Sequence, residues 1–196
     1  RLENDTGVAL AARHGVPIFD TIGEALSLGG TGIAVDGVLL IGEHGAYPIN
    51  ELGQKLYPRR RFFDAAVSAM TAGGRIVPIF NDKHLSWSFT EARRMYDTAG
   101  RLGIPFLAGS SIPVAWRVPR SFEIPVGTPI KQAVVVGYGP LEAYGYHALE
   151  ALQCMVECRA GGEQGVRAVQ CLSGDAIRQA ADEGRWNIAV ADAAIL

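Results

Sequence analysis

The sequence predicts an α/β protein: a doubly wound parallel sheet followed by a partial second α+β domain. Three observations carry this. Apolar runs at residues 35–41, 75–80 and 104–109 alternate with helical patterns at 60–72 and 89–102. The links between them are short, as in repeated β-α-β units with right-handed crossovers. After Ser111 the texture changes to IPVAWRVPRSFEIPVGTPI, with four prolines in 19 residues.

Each element has a local cause. Residues 6–14 read as a short helix closed by Gly15, and VPIF at 16–19 as a short strand. Thr21, with Glu24 three residues on, makes a capping box for a helix to about Leu28. VDGVLLI at 35–41 is almost continuously apolar, the pattern of a parallel strand covered on both faces. A polar loop, EHGAYPINELGQKLYP, then leads to a helix from about Arg60 to Ala72. RIVPIF at 75–80 is a strand in which Pro78 signals irregularity or an edge. Ser88 or Thr90 caps a helix from about Phe89 to Leu102, Gly103 closes it, and IPFLAG at 104–109 ends the series. These pieces form a first domain, 1–112. In the second, 113–196, residues 131–139 and 165–174 read as strands and 147–159 as a helix. The chain opens without methionine and stops inside a helical pattern, which reads as a piece of a longer protein.

The 196 residues, 48% hydrophobic with mean hydropathy +0.14, can bury a sizeable core. Net charge is −2, from 18 basic and 20 acidic residues, and gives no basic surface for nucleic acid or an anionic membrane. The one basic cluster, PRRR at 58–61, falls at a helix start. No apolar run reaches the ~18–20 residues that span a bilayer, and no signal peptide is evident. Three cysteines without a Cys-x-x-Cys pair read as small buried hydrophobes in a reducing compartment, so a cytoplasmic protein is expected.

Ligands of open α/β sheets bind beyond the carboxyl ends of the strands. Two polar segments fall there. Glu43-His44 follows the first long strand and suits a general base or metal ligand. Asn81-Asp82-Lys83-His84 follows the second and is the densest signal, since a lysine partly shielded from water can give or take a proton. His147, at a helix start with Glu150 on the same face, is a third candidate. Each has a plainer reading as a cap, a surface pair or a backbone-bonded loop residue. Glu43, His44, Asp82, His84, His147 and Glu150 would together make a mixed nitrogen and oxygen shell for a divalent metal, although no two histidines share a ligand-spaced motif. Trp87, Trp116, Tyr138, Tyr144 and Tyr146 suit a sugar-sized pocket, with core packing the expectation for most. SLGGTGIAVDG precedes a strand and GYGPLEAYG lacks the Gly-x-Gly-x-x-Gly spacing, so neither is a phosphate cradle.

The order of the segments resembles the Gfo/Idh/MocA family of oxidoreductases. AARHGVPIFDTIGEAL with VDGVLLIG looks like that family's central Rossmann strands. GRIVPIFNDKHLSWSFTEARRMYDTAGRLGIPFLAGSS looks like its signature segment, where a Glu-Lys-Pro triplet ends a strand. GYGPLEAYGYHALEAL is similar to the second-domain segment whose histidine faces nicotinamide and substrate. The resemblance spans about residues 7–175. It implies a Rossmann-like fold, NAD or NADP as cofactor, a polyhydroxylated small-molecule substrate (a sugar, cyclitol or related polyol) and a homo-oligomer assembled through the second domain. It puts Lys83 on the signature lysine and His147 on the catalytic histidine, which bind the substrate hydroxyl and relay its proton. Glu43, His44, Asn81, Asp82 and His84 fall around cofactor and substrate. Asp82 replaces the triplet's glutamate and His84 its proline, and the family's frequent aspartate four residues before the histidine is Ala143. The Gly-rich dinucleotide turn would precede Arg1. The alternatives are a relative without nucleotide that performs metal-assisted hydrolysis, elimination or isomerisation, or a non-catalytic ligand-binding member.

Overall fold

The computed structural model describes residues 6–42 and 45–195. The chain divides after Gly109 into two compact units. The first is α/β, with a small three-stranded parallel sheet. Its order of elements is α1 (Thr6–Arg13), α2 (Ile22–Ser27), β1 (Val38–Leu40), α3 (Arg59–Ala72), β2 (Ile79–Asp82), α4 (Phe89–Leu102) and β3 (Phe106–Gly109).

Strand order is β1-β2-β3, all parallel, so each neighbour is reached through one crossover helix. Phe63, Ala66 and Met70 of α3 and Met95 and Ala99 of α4 share one core with Val38, Leu40 and Ile79. Both helices therefore cover the same face, as two right-handed crossovers in sequential order require. Phe63 meets Phe106 with ring centroids 5.2 Å apart. The two helix starts are tied by Arg60, which holds Asp64 at 2.7 Å and also pairs with Glu91.

The other face departs from expectation. Leu39, Phe80 and Leu107 align across the three strands, and Leu39 and Leu107 are 70% and 71% exposed. The apolar run at 35–41 is thus half covered among the described residues, because α3 and α4 sit together on the opposite side.

The helix ends follow the local chemistry. Thr21 and Glu24 form the full capping box of α2. Ser88 Oγ accepts from the Glu91 amide at the start of α4, and Gly103 closes it in the left-handed conformation with φ 64°. The strands are shorter than predicted. No ladder forms over 16–19. β2 begins after Pro78 and runs through Asn81 and Asp82, so these two belong to the strand. Proline has no amide to donate, but the Pro78 carbonyl still accepts from the Val38 amide at 2.9 Å. Arg75 braces the approach to β1 by donating to the carbonyls of Ile33 and Val35 at 3.1 and 3.0 Å.

The second unit is irregular between its helices. A short 3-10 turn (Ile112–Val114) and a π-type turn (Leu141–Gly145) precede α5 (Tyr146–Val156), α6 (Asp175–Asp182) and α7 (Ile188–Ile195). The strands expected at 131–139 and 165–174 form no ladder. Alternating apolar residues there stay open, Val136 at 56% and Val169 at 88% exposed; a strand is stabilised by neighbours that pair with it. The three cysteines are free, with Cys171 exposed and Cys154 and Cys158 only partly buried, which corrects their reading as buried hydrophobes. Among the described residues no helix is long and apolar enough to cross a membrane.

Candidate functional site

The carboxyl end of β2 is built by strand parity. Ile79 and Asn81 face the helices, and Asn81 is fully buried. Phe80 and Asp82 face the other way, as alternation requires. The ladder ends at Lys83, whose amide donates to the Gly109 carbonyl at 2.9 Å. There the backbone turns left-handed, with φ 65° at a residue that carries a Cβ. Such a conformation costs roughly 1–2 kcal/mol relative to the right-handed one.

Side chains fasten this turn from three directions. Lys83 Nζ donates to Asp82 Oδ2 at 2.7 Å, and both side chains are largely shielded, at 15% and 13% exposure. Asn81 Nδ2 donates to the His84 carbonyl at 3.1 Å, bridging the turn from inside. Asn81 Oδ1 has no hydrogen-bond partner among the described residues. Leaving a buried acceptor unsatisfied costs about 1–3 kcal/mol.

The third fastening is Arg59, buried at 1% exposure at the start of α3. Its Nη1 lies 3.0 Å from His84 Nε2. A guanidinium only donates, so Nε2 accepts and the ring is neutral with its proton on Nδ1. Burial and the Arg59 charge hold His84 at a pKa of about 4, below its ordinary 6.5; Lys83 adds to the effect, while a backbone hydrogen bond at Ser86 and the Asp82 carboxylate oppose it. Tyr57 completes the packing. Its ring meets His84 edge-on at 5.6 Å and lies 4.3 Å beneath the Arg59 guanidinium. The preceding loop delivers Tyr57 through a tight turn on Asn50, whose Oδ1 accepts from the amides of Leu52 and Gln54.

In the second unit a different cluster forms on α5. Gly139, with φ 94°, lets the chain turn under Tyr144; a Cβ there would stand 2.6 Å from the Tyr144 ring. The turn brings His147 and Glu150, three residues apart, onto one helix face. Both reach Ser110, which is itself buried. Ser110 Oγ lies 2.5 Å from His147 Nδ1, and the Ser110 amide donates to Glu150 Oε2 at 3.1 Å.

The chain matches no family model, no curated protein and no solved structure.

Asn81, Asp82, Lys83 and His84 are brought together in the first unit, and His147 is held in the second. Glu43 and His44 lie outside the described residues. Among the described residues, no three His, Cys, Asp or Glu side chains gather as a metal site. Several of the aromatic residues expected in the core are open instead, while Tyr146 is half-buried. Trp116 and Tyr138 are 77% and 84% exposed, and Tyr138 stacks on Tyr144 at 5.5 Å.

Two residues with clear roles escaped the sequence reading. Ser110 directly follows β3, so the rule that singled out Asn81 to His84 after β2 applies to it as well. Arg59 was hidden in PRRR; its signal was the sign of the charge, since cations at a helix N-terminus oppose the dipole and need another reason to be there.

Proposed function

We propose that this protein is an NAD(P)-dependent oxidoreductase of a sugar, cyclitol or related polyol, built on a Rossmann-like doubly wound sheet to which β1, β2 and β3 belong. The observation that carries the reading is Lys83, set in a left-handed turn at the carboxyl end of the middle strand of a parallel sheet, where such sheets take their ligands. A shielded lysine in a strained turn, fastened by Asp82, Asn81 and His84, is the arrangement of a functional group more than of a surface charge.

The donor set fits the expected ligands. Lys83 donates and Asp82 accepts, matching hydroxyls that do both. NAD(P), when bound, supplies the hydride acceptor. In this reading Lys83 holds the oxygen of the reacting hydroxyl and stabilises the negative charge that grows there. The resemblance makes His147 the general base, working at Nε2. His84 stands where the resemblance has proline, and its Arg59 contact shapes the turn in place of a rigid ring. Homo-oligomer assembly through the second unit belongs to the same proposal and is read by light scattering.

The test is oxidation of a polyol panel with NAD⁺ or NADP⁺, followed by nicotinamide absorbance, alongside the melting shift each nucleotide produces. One polyol class is expected to reduce one nucleotide. Lys83→Met and His147→Gln each lower turnover by about a hundredfold, in the range of lost charge stabilisation or general-base help. No reduction with any polyol and no melting shift with either nucleotide would overturn the reading.

A further inference from the structure

We propose that Ser110 is a positioning residue for His147, fixing the Nδ1 side of the imidazole and leaving Nε2 as the working nitrogen. This rests on the reading of His147 as the proton relay.

The contacts around Ser110 are directional. Its amide is held by Glu150 Oε2 at 3.1 Å, and its hydroxyl oxygen accepts from the Ile112 amide at 3.0 Å. A serine hydroxyl has one proton and two lone pairs. With one lone pair taken by Ile112, the hydroxyl meets His147 Nδ1 in either of two ways. It accepts Nδ1–H on its second lone pair, which leaves Nε2 bare and able to take a proton. Alternatively it donates its own proton to Nδ1, which puts the ring proton on Nε2. The first arrangement is the one the proton relay needs, and it also serves the protonated ring.

Among the described residues, Ser110 makes the hydrogen bond that holds the His147 ring. Ala143, four residues earlier and one turn back, ends in a methyl group. The Tyr146 ring meets it edge-on, with centroids 6.3 Å apart. Glu150 binds the Ser110 backbone and so grips the positioner. The order of dependence is Glu150 to Ser110 to His147, and a hydroxyl orients the imidazole without setting a second charge beside it.

The experiment uses the full chain labelled with ¹⁵N at histidine, with the His147 ring assigned by its loss in His147→Gln. Ser110→Ala is expected to change the ratio of the two ring tautomers read from the nitrogen shifts. It should lower kcat for the polyol about tenfold, the effect of one lost hydrogen bond, with KM nearly unchanged. Ser110→Thr restores both, because it keeps the hydroxyl. Glu150→Gln, which keeps an acceptor oxygen, stays close to wild type, while Glu150→Leu moves toward Ser110→Ala; this pair reads the same dependence should Ser110→Ala not fold. An unchanged tautomer ratio in folded Ser110→Ala, or in folded Glu150→Leu, overturns the proposal. A ratio that responds in a protein without polyol oxidation overturns the oxidoreductase reading and leaves the Ser110–His147 pairing standing.

Discussion

His84 accepts a hydrogen bond from a guanidinium that keeps its proton at any ordinary pH, so protonating the ring breaks the pair and sets two cations side by side. Its pKa is about 4 in the folded protein against 6.5 without these surroundings. Between those values the unfolded chain binds a proton that the folded chain refuses, so stability falls as pH falls. The contribution is fully present above pH 6.5 and lost below about pH 4. At full burial this difference corresponds to about 3 kcal/mol. The ring keeps some contact with water, and screening reduces the expected loss to roughly 1–2 kcal/mol. Carboxylates titrate over part of the same range, so the measurement is a difference. Urea unfolding of wild type and His84→Gln is compared from pH 7 to pH 4. Glutamine offers Arg59 an acceptor oxygen and does not titrate. Wild type should lose roughly 1–2 kcal/mol more than the variant across this range. Parallel pH profiles, or a His84 resonance that titrates near 6.5, would refute the Arg59–His84 pairing.

Further outcomes follow from the same geometry. Lys83→Gly should be more stable than Lys83→Ala by about 1 kcal/mol in urea unfolding, because both lose the ammonium and only alanine keeps a Cβ at φ 65°. Phe63→Ala should cost about 3–5 kcal/mol and unfold the first unit, since Phe63 is 1% exposed in the shared core. Leu39→Ala, on the open face, should cost under about 0.5 kcal/mol by the same assay; a loss near that of Phe63→Ala would contradict the exposure of that face. Thr21→Ala removes the cap of α2 and should cost about 1 kcal/mol, read as a lowered melting temperature.

What was legible in the chain was whatever neighbouring residues decide between themselves. Thr21 with Glu24, Ser88 with Glu91, and Gly103 set helix ends that the structure reproduces, because caps are satisfied within four residues. Strand limits were less legible. Whether residues 16–19 or 131–139 join a sheet depends on a partner strand elsewhere, and no run of apolar residues encodes that partner. β2 starts after Pro78, and pairing with β3 carries Asn81 and Asp82 from the expected loop into the ladder. The polar run Asn81 to His84 was visible as a group, but its fastening was not. Arg59 is 25 positions from His84, and Ser110 is 37 positions from His147. Both contacts exist only once helices and strands have packed.

The two-residue repeat of β2 leaves little freedom in the spacing between Ile79 and Lys83. Inserting or deleting one residue there would exchange the places of Asn81 and Asp82. A carboxylate would enter the space under the helices, and the amide would turn outward. The Lys83 ammonium would lose its Asp82 anchor. Natural variation in length should therefore gather in the 45–58 loop, whose turn can lengthen without inverting any side chain, while the four positions before Lys83 hold their number.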